Sequence, residues 1–351
     1  MQTTTMKAHV YHGPGRHSWE DVPVPQLSAA TDAIVRVDAV TICGTDLHIL
    51  KGDVPETTPG TILGHEAVGT VVEAGSAVSG VVVGDRVLVS CISSCGRCSY
   101  CRVGAYGQCR NGGGWILGHT VNGTQAEFVR VPFADNSLYP LPDQVSSEAA
   151  LMLADIVPTA YEVGVLNGRV KPGDTVVVVG AGPIGLAAIK TARLFSPAKI
   201  IALDLAKSRL DAALDFGASD SLPSDEDAVA KVLQRTDGLG ADVVIEAVGT
   251  PHTFELCTQL VRPGGHVANI GVHGAPATLH LETLWIKNVT ITTGLVDTYS
   301  TPTLLTMLAG GDLKTTDFIT HRFGLGEMLE AFDVFAEAAD SGALKVAMFR
   351  T

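Results

Sequence analysis

The stretch VVVVGAGPIG, residues 176–185, decides the fold of the second half of this chain. A run of four valines reads as a buried strand, and it passes directly into Gly180, Gly182 and Gly185, spaced as GxGxxG at the start of a helical pattern. Gly180 suits the tight turn, Gly182 lets a pyrophosphate approach the backbone, and the start of the helix, where Pro183 and Ile184 follow the glycine, offers the free backbone N–H groups of its non-proline residues and a positive dipole end to negative charge. The glycine pattern alone is weak; its place between a strand and a helix gives it weight. Asp204 then closes the next strand, IIALD, nineteen residues after Gly185. A carboxylate there can accept hydrogen bonds from both adenosine ribose hydroxyls and repels a 2'-phosphate, so the expected cofactor is NAD and not NADP. Lys207 and Arg209 follow closely and soften that preference.

Working outward, the same rhythm continues. Strand-like runs at TVVVVG (175), KIIAL (199), ASDSL (218), DVVIEAV (242), GHVANIG (265) and NVTITTG (288) alternate with amphipathic helical stretches, which predicts an α/β doubly wound parallel sheet of six strands over residues 153–295. Residues 1–152 read differently. Short alternating runs such as AIVRVDAV, VGTVVEAG, DRVLVS and AEFVRV, broken by Gly and Pro, predict a β-rich lobe. From 296 to 351 a helical GLGEMLEAFDVFAEAAD and a last strand KVAMFR are expected to return to that first lobe.

Composition narrows the function classes. A chain of 351 residues, 46% hydrophobic and 17% charged, has the makings of two full cores and is not disordered. Its net charge of -13 and lack of a Lys/Arg cluster oppose a nucleic-acid partner. The start MQTTTMKAHVYHGPG shows no basic stretch followed by an apolar core, and long uncharged runs such as Thr175 to Ile189 are broken by Gly and Pro. A soluble, cytoplasmic protein without a membrane partner is therefore expected.

Four of the seven cysteines, Cys95, Cys98, Cys101 and Cys109, fall in CGRCSYCRVGAYGQC. Four thiols so closely spaced suit one tetrahedral zinc rather than a disulfide framework, within a lobe spanning 91–112. With all four positions taken, such a zinc is structural. Cys91 and Cys257 have no partner at ligand spacing and read as buried apolar thiols.

A nicotinamide cofactor needs a substrate able to give up hydride, and for an alcohol this means stabilising an alkoxide. A second zinc with an open position would do so, and Cys43 in CGTDLH (43–48) and His65 in GHEAVG (64–69) are suitable ligands.

With these motifs in order, the chain resembles the zinc-dependent medium-chain alcohol dehydrogenases over nearly its whole length. The resemblance rests on CGTDLH, GHEAVGTVVEAGSAV, the four-cysteine lobe, GAGPIG and the acidic end of the second strand. It implies a GroES-like catalytic domain completed by the C-terminal tail, a Rossmann cofactor domain, NAD, two zinc ions per chain, and an alcohol or carbonyl as the small-molecule substrate. It also implies a homo-oligomer, dimer or tetramer. Cys43 and His65 match the first two catalytic zinc ligands, and Glu66 the acidic neighbour able to enter the coordination sphere. The third ligand departs from the best-known members, which use a second Cys; LMLADIVPTAYE offers Asp155, as in the bacterial secondary alcohol dehydrogenase and formaldehyde dehydrogenase branch. Read alone, an Asp before a helix is more often its N-cap than a metal ligand.

Thr45 and His48 match the family's proton path, in which the Thr45 hydroxyl takes the alcohol proton, passes it to the nicotinamide ribose, and His48 releases it to solvent. Asp46 reads as a structural capping residue. By the same resemblance Thr159 approaches the nicotinamide, Ile184 presses on its back, and Val248, Ile270 and Val272 line its side. Trp115, with Thr45 and Ile156, matches an apolar substrate pocket, although a core Trp is an alternative reading. Lys345 resembles a basic residue that meets the pyrophosphate, against which stands a solvated Lys. The expected activity is reversible hydride transfer between small to medium, secondary alcohols and NAD. Formaldehyde, polyol or threonine dehydrogenation is the alternative within the family, and a silent NAD-binding redox sensor the alternative outside catalysis.

Overall fold

A computed structural model describes residues 4–350; residues 1–3 and 351, the outer ends of the two ranges expected for the catalytic domain, lie outside the described residues. The chain divides into a β-rich unit, running up to Asp155 and again from Asp297, and a unit formed by Ile156–Val296. The first boundary falls three residues later than the change of sequence rhythm, so Asp155 stays with the β-rich unit while Ile156 and Thr159 do not.

The unit Ile156–Val296 is built on six parallel strands: β1 (Thr175–Val179), β2 (Lys199–Asp204), β3 (Asp220–Pro223), β4 (Ala241–Glu246), β5 (Val261–Asn269) and β6 (Thr290–Thr293). Their order across the sheet is β3-β2-β1-β4-β5-β6, with every neighbouring pair parallel. A sheet covered on both faces by helices has no wet side, which is why β1 can be valine at four successive positions, all of them buried. The order reverses at β1, and the crevice at the carboxyl ends of β1 and β4 is where such sheets bind ligands.

In the β-rich unit one sheet runs Ile319–Gly324, Lys345–Phe349, Ala33–Thr41, Ala67–Ala74, Arg86–Val89 and Leu138–Pro140, with Phe128–Val131 also pairing to Ala33–Thr41. The C-terminal strand Lys345–Phe349 lies antiparallel to Ala33–Thr41. Val346 and Met348 thereby enter a core shared with Val35, Val37, Val71, Val87, Val129 and Phe332. A ribbon of Thr5–Tyr11 and His17–Pro23 packs beside it. Among the described residues no helix is long and apolar enough to cross a membrane.

Because Met348 is fully buried in that core, Met348→Ala should cost about 2–5 kcal/mol of unfolding free energy. Urea unfolding followed by circular dichroism measures it, and a loss well under 1 kcal/mol would show that the tail does not complete the core.

Candidate active site

The antiparallel pair Ala33–Thr41 and Ala67–Ala74 places the end of one strand beside the start of the other. Cys43 leaves the first strand as the N-cap of the helix Gly44–Lys51, while His65 and Glu66 lead into the second. Asp155 follows the helix Ser147–Leu151, and the preceding Ala154 carbonyl accepts the Cys91 N–H at 3.1 Å. Cys43, His65, Glu66 and Asp155 each bring one donor atom into a group whose members all lie within 4.8 Å of one another. Asp155 Oδ2 is 3.6 Å from Cys43 Sγ and 3.5 Å from His65 Nε2. Ligands around a tetrahedral zinc stand about 3.3–3.8 Å apart, given bond lengths of about 2.0–2.3 Å. The donor set therefore fits the ion in both chemistry and spacing.

Electrostatics point the same way. Burial, reinforced by the neighbouring Asp155 carboxylate, pushes the Cys43 thiol above its usual range. Burial works against a charged His65, but hydrogen bonds to Asp155 and Cys43 outweigh it and raise that imidazole well above its ordinary value. A cation would suit such a cluster. Glu66 is fully buried, and both of its carboxylate oxygens accept from Lys345 Nζ, at 2.8 and 3.1 Å. Lys345 also donates to the Ile42 carbonyl at 2.8 Å and is only 1% exposed. It is neither a solvated lysine nor free for another anion, because the side chain enters the interior from a central strand. A dication and the Lys345 ammonium together balance the Cys43 thiolate, Glu66 and Asp155.

Thr45 Oγ1 lies 3.5 Å from Cys43 Sγ. His48, one turn further along the same helix, reaches the surface and pairs through Nδ1 with Asp53 Oδ2 at 2.9 Å. Trp115 turns an edge toward His65, with ring centroids 6.1 Å apart, and stacks on His119 at 4.1 Å. It packs against Tyr11, Ile49 and Leu63 as well, so it is at once part of a small core and a wall beside the metal-site histidine. Ile156 is buried in the other unit.

The sulfurs of Cys95, Cys98, Cys101 and Cys109 converge in the same way. Cys98 and Cys101 sulfurs are 3.4 Å apart, and Cys95 and Cys101 sulfurs 3.9 Å. Polar hydrogens aim at them: the Cys95 N–H at Cys109 Sγ, the Cys101 N–H at Cys98 Sγ, and Asn111 Nδ2 at Cys95 Sγ. Backbone donors draw the Cys98 thiol down to about 6, whereas burial pushes Cys101 up to about 12. This set of four thiols has no place for a substrate.

In the other unit Gly180 has φ +96°, and a Cβ on Gly185 would stand 1.9 Å from the Gly180 carbonyl oxygen. A Cβ on Gly182 would meet nothing within 4 Å, which leaves open space at the start of the helix Pro183–Ala192. Asp204 Oδ2 accepts the Ala181 N–H at 2.8 Å and Oδ1 the Ala206 N–H at 2.9 Å, so the carboxylate is held beside the glycine turn. Arg209 Nη1 stands 4.0 Å away. Val248 and Val272 are exposed, Ile270 is buried, and Thr159 and Ile184 are partly exposed. The turn after β4 is fixed by buried Glu246, which accepts from the Val248 and Gly249 N–H groups and from Thr253 Oγ1.

Residues 29–143 match the alcohol dehydrogenase GroES-like domain, and residues 183–310 match the zinc-binding dehydrogenase domain. An alcohol dehydrogenase of Cupriavidus necator is 37% identical over 99% of both chains. The apo form of zinc-dependent alcohol dehydrogenase 2 from Streptococcus pneumonia superposes with a TM-score of 0.94 at 48% identity, covering 98% of each chain. Alcohol dehydrogenase TADH from Thermus sp. ATN1 gives a TM-score of 0.92 at 36% identity, over 99% of this chain and 100% of the other. The chain belongs to the zinc-dependent medium-chain alcohol dehydrogenases. This dehydrogenase is an oxidoreductase acting on CH–OH groups, with zinc and a nicotinamide cofactor.

Three features of this zinc-dependent dehydrogenase go beyond the reading of its motifs. Asp46 does cap its helix through the Cys43 N–H at 3.0 Å, but its other oxygen also faces His65 Nδ1 at 3.9 Å. Cys91 is buried as expected yet not incidental, since its sulfur lies 3.6 Å from Asp155 Oδ1. Glu66 is tied to Lys345 from the far end of the chain. The first of these had a signal, an acidic residue beside a metal-ligand motif; the other two depend on segments distant in sequence.

Removing one partner of a buried pair strands the other charge. Lys345→Met should therefore cost about 3–5 kcal/mol in denaturant unfolding, and adding Glu66→Gln should recover most of it. Additive losses in this double-mutant cycle would count against a direct pair.

Proposed function

We propose that this dehydrogenase interconverts small to medium secondary alcohols and their ketones with NAD, using one catalytic and one structural zinc. The convergence of Cys43, His65 and Asp155, with Glu66 adjoining, carries this reading. Cys43, His65 and Asp155 would hold the catalytic zinc, and Cys95, Cys98, Cys101 and Cys109 the structural one. When bound, the zinc would supply Lewis acidity toward a hydroxyl oxygen and the nicotinamide a hydride acceptor. Thr45 Oγ1, beside Cys43, would accept the hydroxyl proton as it donates its own toward the nicotinamide ribose, and His48, on the surface, would pass the proton from that ribose to solvent. Trp115, beside His65, supplies an apolar wall that favours a carbon substituent over a charged head group.

Gly180, Gly182, Pro183, Ile184 and Gly185 form the pyrophosphate cradle. Asp204, with Arg209 4.0 Å away, would hold the adenosine ribose, and Thr159, Val248, Ile270 and Val272 would hold the nicotinamide. Solved relatives carry NADH in one case and NADP in another, so the fold admits both. The held Asp204 carboxylate supports NAD. One relative, from Entamoeba histolytica, is named an NADP-dependent isopropanol dehydrogenase, which supports the secondary-alcohol reading while differing in cofactor. Seven cysteines without a disulfide suit a reducing compartment such as the cytoplasm.

Initial rates of NADH formation test the proposal, with NAD and NADP in parallel across propan-2-ol, butan-2-ol, 1-phenylethanol, benzyl alcohol, threonine, a polyol and formaldehyde. Turnover of the simple secondary alcohols with NAD is expected. Activity only on formaldehyde, polyol or threonine would move the chain to another branch, and no activity would favour a silent redox sensor. Asp155→Ala should lower zinc content from two to one per chain and remove most activity; two tightly held zincs and full turnover would refute the ligand assignment.

We also propose a homo-oligomer, dimer or tetramer. In the unit Ile156–Val296, Trp285 (73% exposed) and Ile286 (69%) lie next to the edge strand β6, whose outer backbone has no neighbour within that sheet. Size-exclusion chromatography with light scattering is expected to show a multiple of the chain mass; a monomer at micromolar concentration would overturn this.

A further inference from the structure

The metal-site histidine is the inner end of a polar chain that crosses the β-rich unit to its surface. His65 Nδ1 and Asp46 Oδ1 are both buried, face each other at 3.9 Å and have no hydrogen-bond partner. Asp46 Oδ2 accepts from the Cys43 N–H at 3.0 Å and from Gln125 Nε2 at 2.9 Å. Gln125 Oε1 lies 2.8 Å from His9 Nδ1, and His9 Nε2 lies 2.7 Å from His17 Nδ1.

The proton positions follow from the carboxylate end. Because Gln125 gives its N–H to Asp46, its carbonyl oxygen is left as the acceptor. His9 must then carry its proton on Nδ1 and accept at Nε2, and His17 must donate from Nδ1. Burial drives the His9 imidazole down to about 4, against the pull of its Gln125 bond, and so keeps it in the neutral form this order requires. Phe332 closes the site, with its ring 4.5 Å from that of His9 and 5.8 Å from that of His17.

The backbone reinforces the arrangement. The Leu63 N–H donates to the His9 carbonyl at 3.1 Å, the His9 N–H to the Gln125 carbonyl at 2.8 Å, and the Gln125 N–H to the Leu63 carbonyl at 2.9 Å. The segment that ends in His65 is thus clamped by the same two residues whose side chains hold Asp46.

We infer that His9 and Gln125 are positioning residues for the catalytic zinc: they hold Asp46 so that its second oxygen stands opposite His65 Nδ1, 3.9 Å away, and its charge favours the Nδ1–H tautomer that leaves Nε2 for the ion. Such outer partners fix the ring and its tautomer. His17 ends the chain at the surface as the donor that keeps His9 in register. The inference rests on the reading of Cys43, His65 and Asp155 as a zinc site.

The test is zinc release from the purified full-length holoenzyme to a chromogenic chelator, with denaturant midpoints measured in parallel. His9→Leu should release one of the two zincs about 10–100-fold faster, leaving release of the other, from the cysteine lobe, unchanged. His9→Asn, which keeps an N–H near the Nδ1 position, should restore much of the wild-type rate, an effect a purely structural role would not give. If His9→Leu does not accumulate, Gln125→Met removes both amide bonds at similar volume and should behave alike. Wild-type release from whichever variant folds, even at a lowered midpoint, would overturn the inference. A wild-type protein whose zinc content is insensitive to Asp155→Ala would instead defeat the metal-site reading itself.

Discussion

The pairing of Ala33–Thr41 with Ala67–Ala74 is the constraint on which the catalytic half depends. Antiparallel neighbours bring the exit of one strand beside the entry of the next, and here those two points are Cys43 and His65–Glu66. A one-residue slip would turn every alternate side chain to the opposite face and separate the thiol from the imidazole. The valines at 35, 37, 68 and 71, buried in the interior, hold that register. Packing energy thus fixes metal-ligand geometry through the period of two in a strand.

The C-terminal strand adds charge to that frame. Lys345–Phe349 pairs with the Ala39–Thr41 end of the strand Ala33–Thr41, and the Thr41 hydroxyl donates to the Val346 carbonyl at 2.7 Å. The pairing carries Lys345 to Glu66, so that a carboxylate is kept next to the metal site with its charge compensated. Burial makes every charge there costly unless it is matched. This explains why an ammonium, two carboxylates, a thiol and an imidazole come together in one interior region, and why a dication suits it. Cys91 and Gln125 complete the surroundings by engaging the outward oxygens of Asp155 and Asp46.

The nucleotide unit follows a more local logic. Strand, glycine turn and helix are consecutive in sequence, and Asp204 is anchored to the turn by a single backbone N–H from Ala181. The three glycines serve different ends: a left-handed turn at Gly180, open room at Gly182, and close approach of helix to strand at Gly185. All of this is settled within about thirty residues, and for that reason it reads clearly from the sequence.

By itself the sequence determined what short-range patterns can carry. The six parallel strands, the glycine cradle with Asp204, the four-cysteine lobe and the pairing of Cys43 with His65 all rest on spacing within a motif or on a recurring period. Asp155 as third ligand needed the family resemblance, since one carboxylate ahead of a helix has no spacing of its own to mark it. Tertiary structure alone decided that Lys345 is buried against Glu66, that Cys91 touches Asp155, and that His9 reaches Asp46 through Gln125. The individual contacts behind these links join residues 64 to 279 positions apart. Nothing local distinguishes a lysine, cysteine or histidine that will be buried beside a distant carboxylate from one that will face solvent. The difference is made when strands far apart in the chain pair, and the desolvation of their polar groups forces each to find a partner.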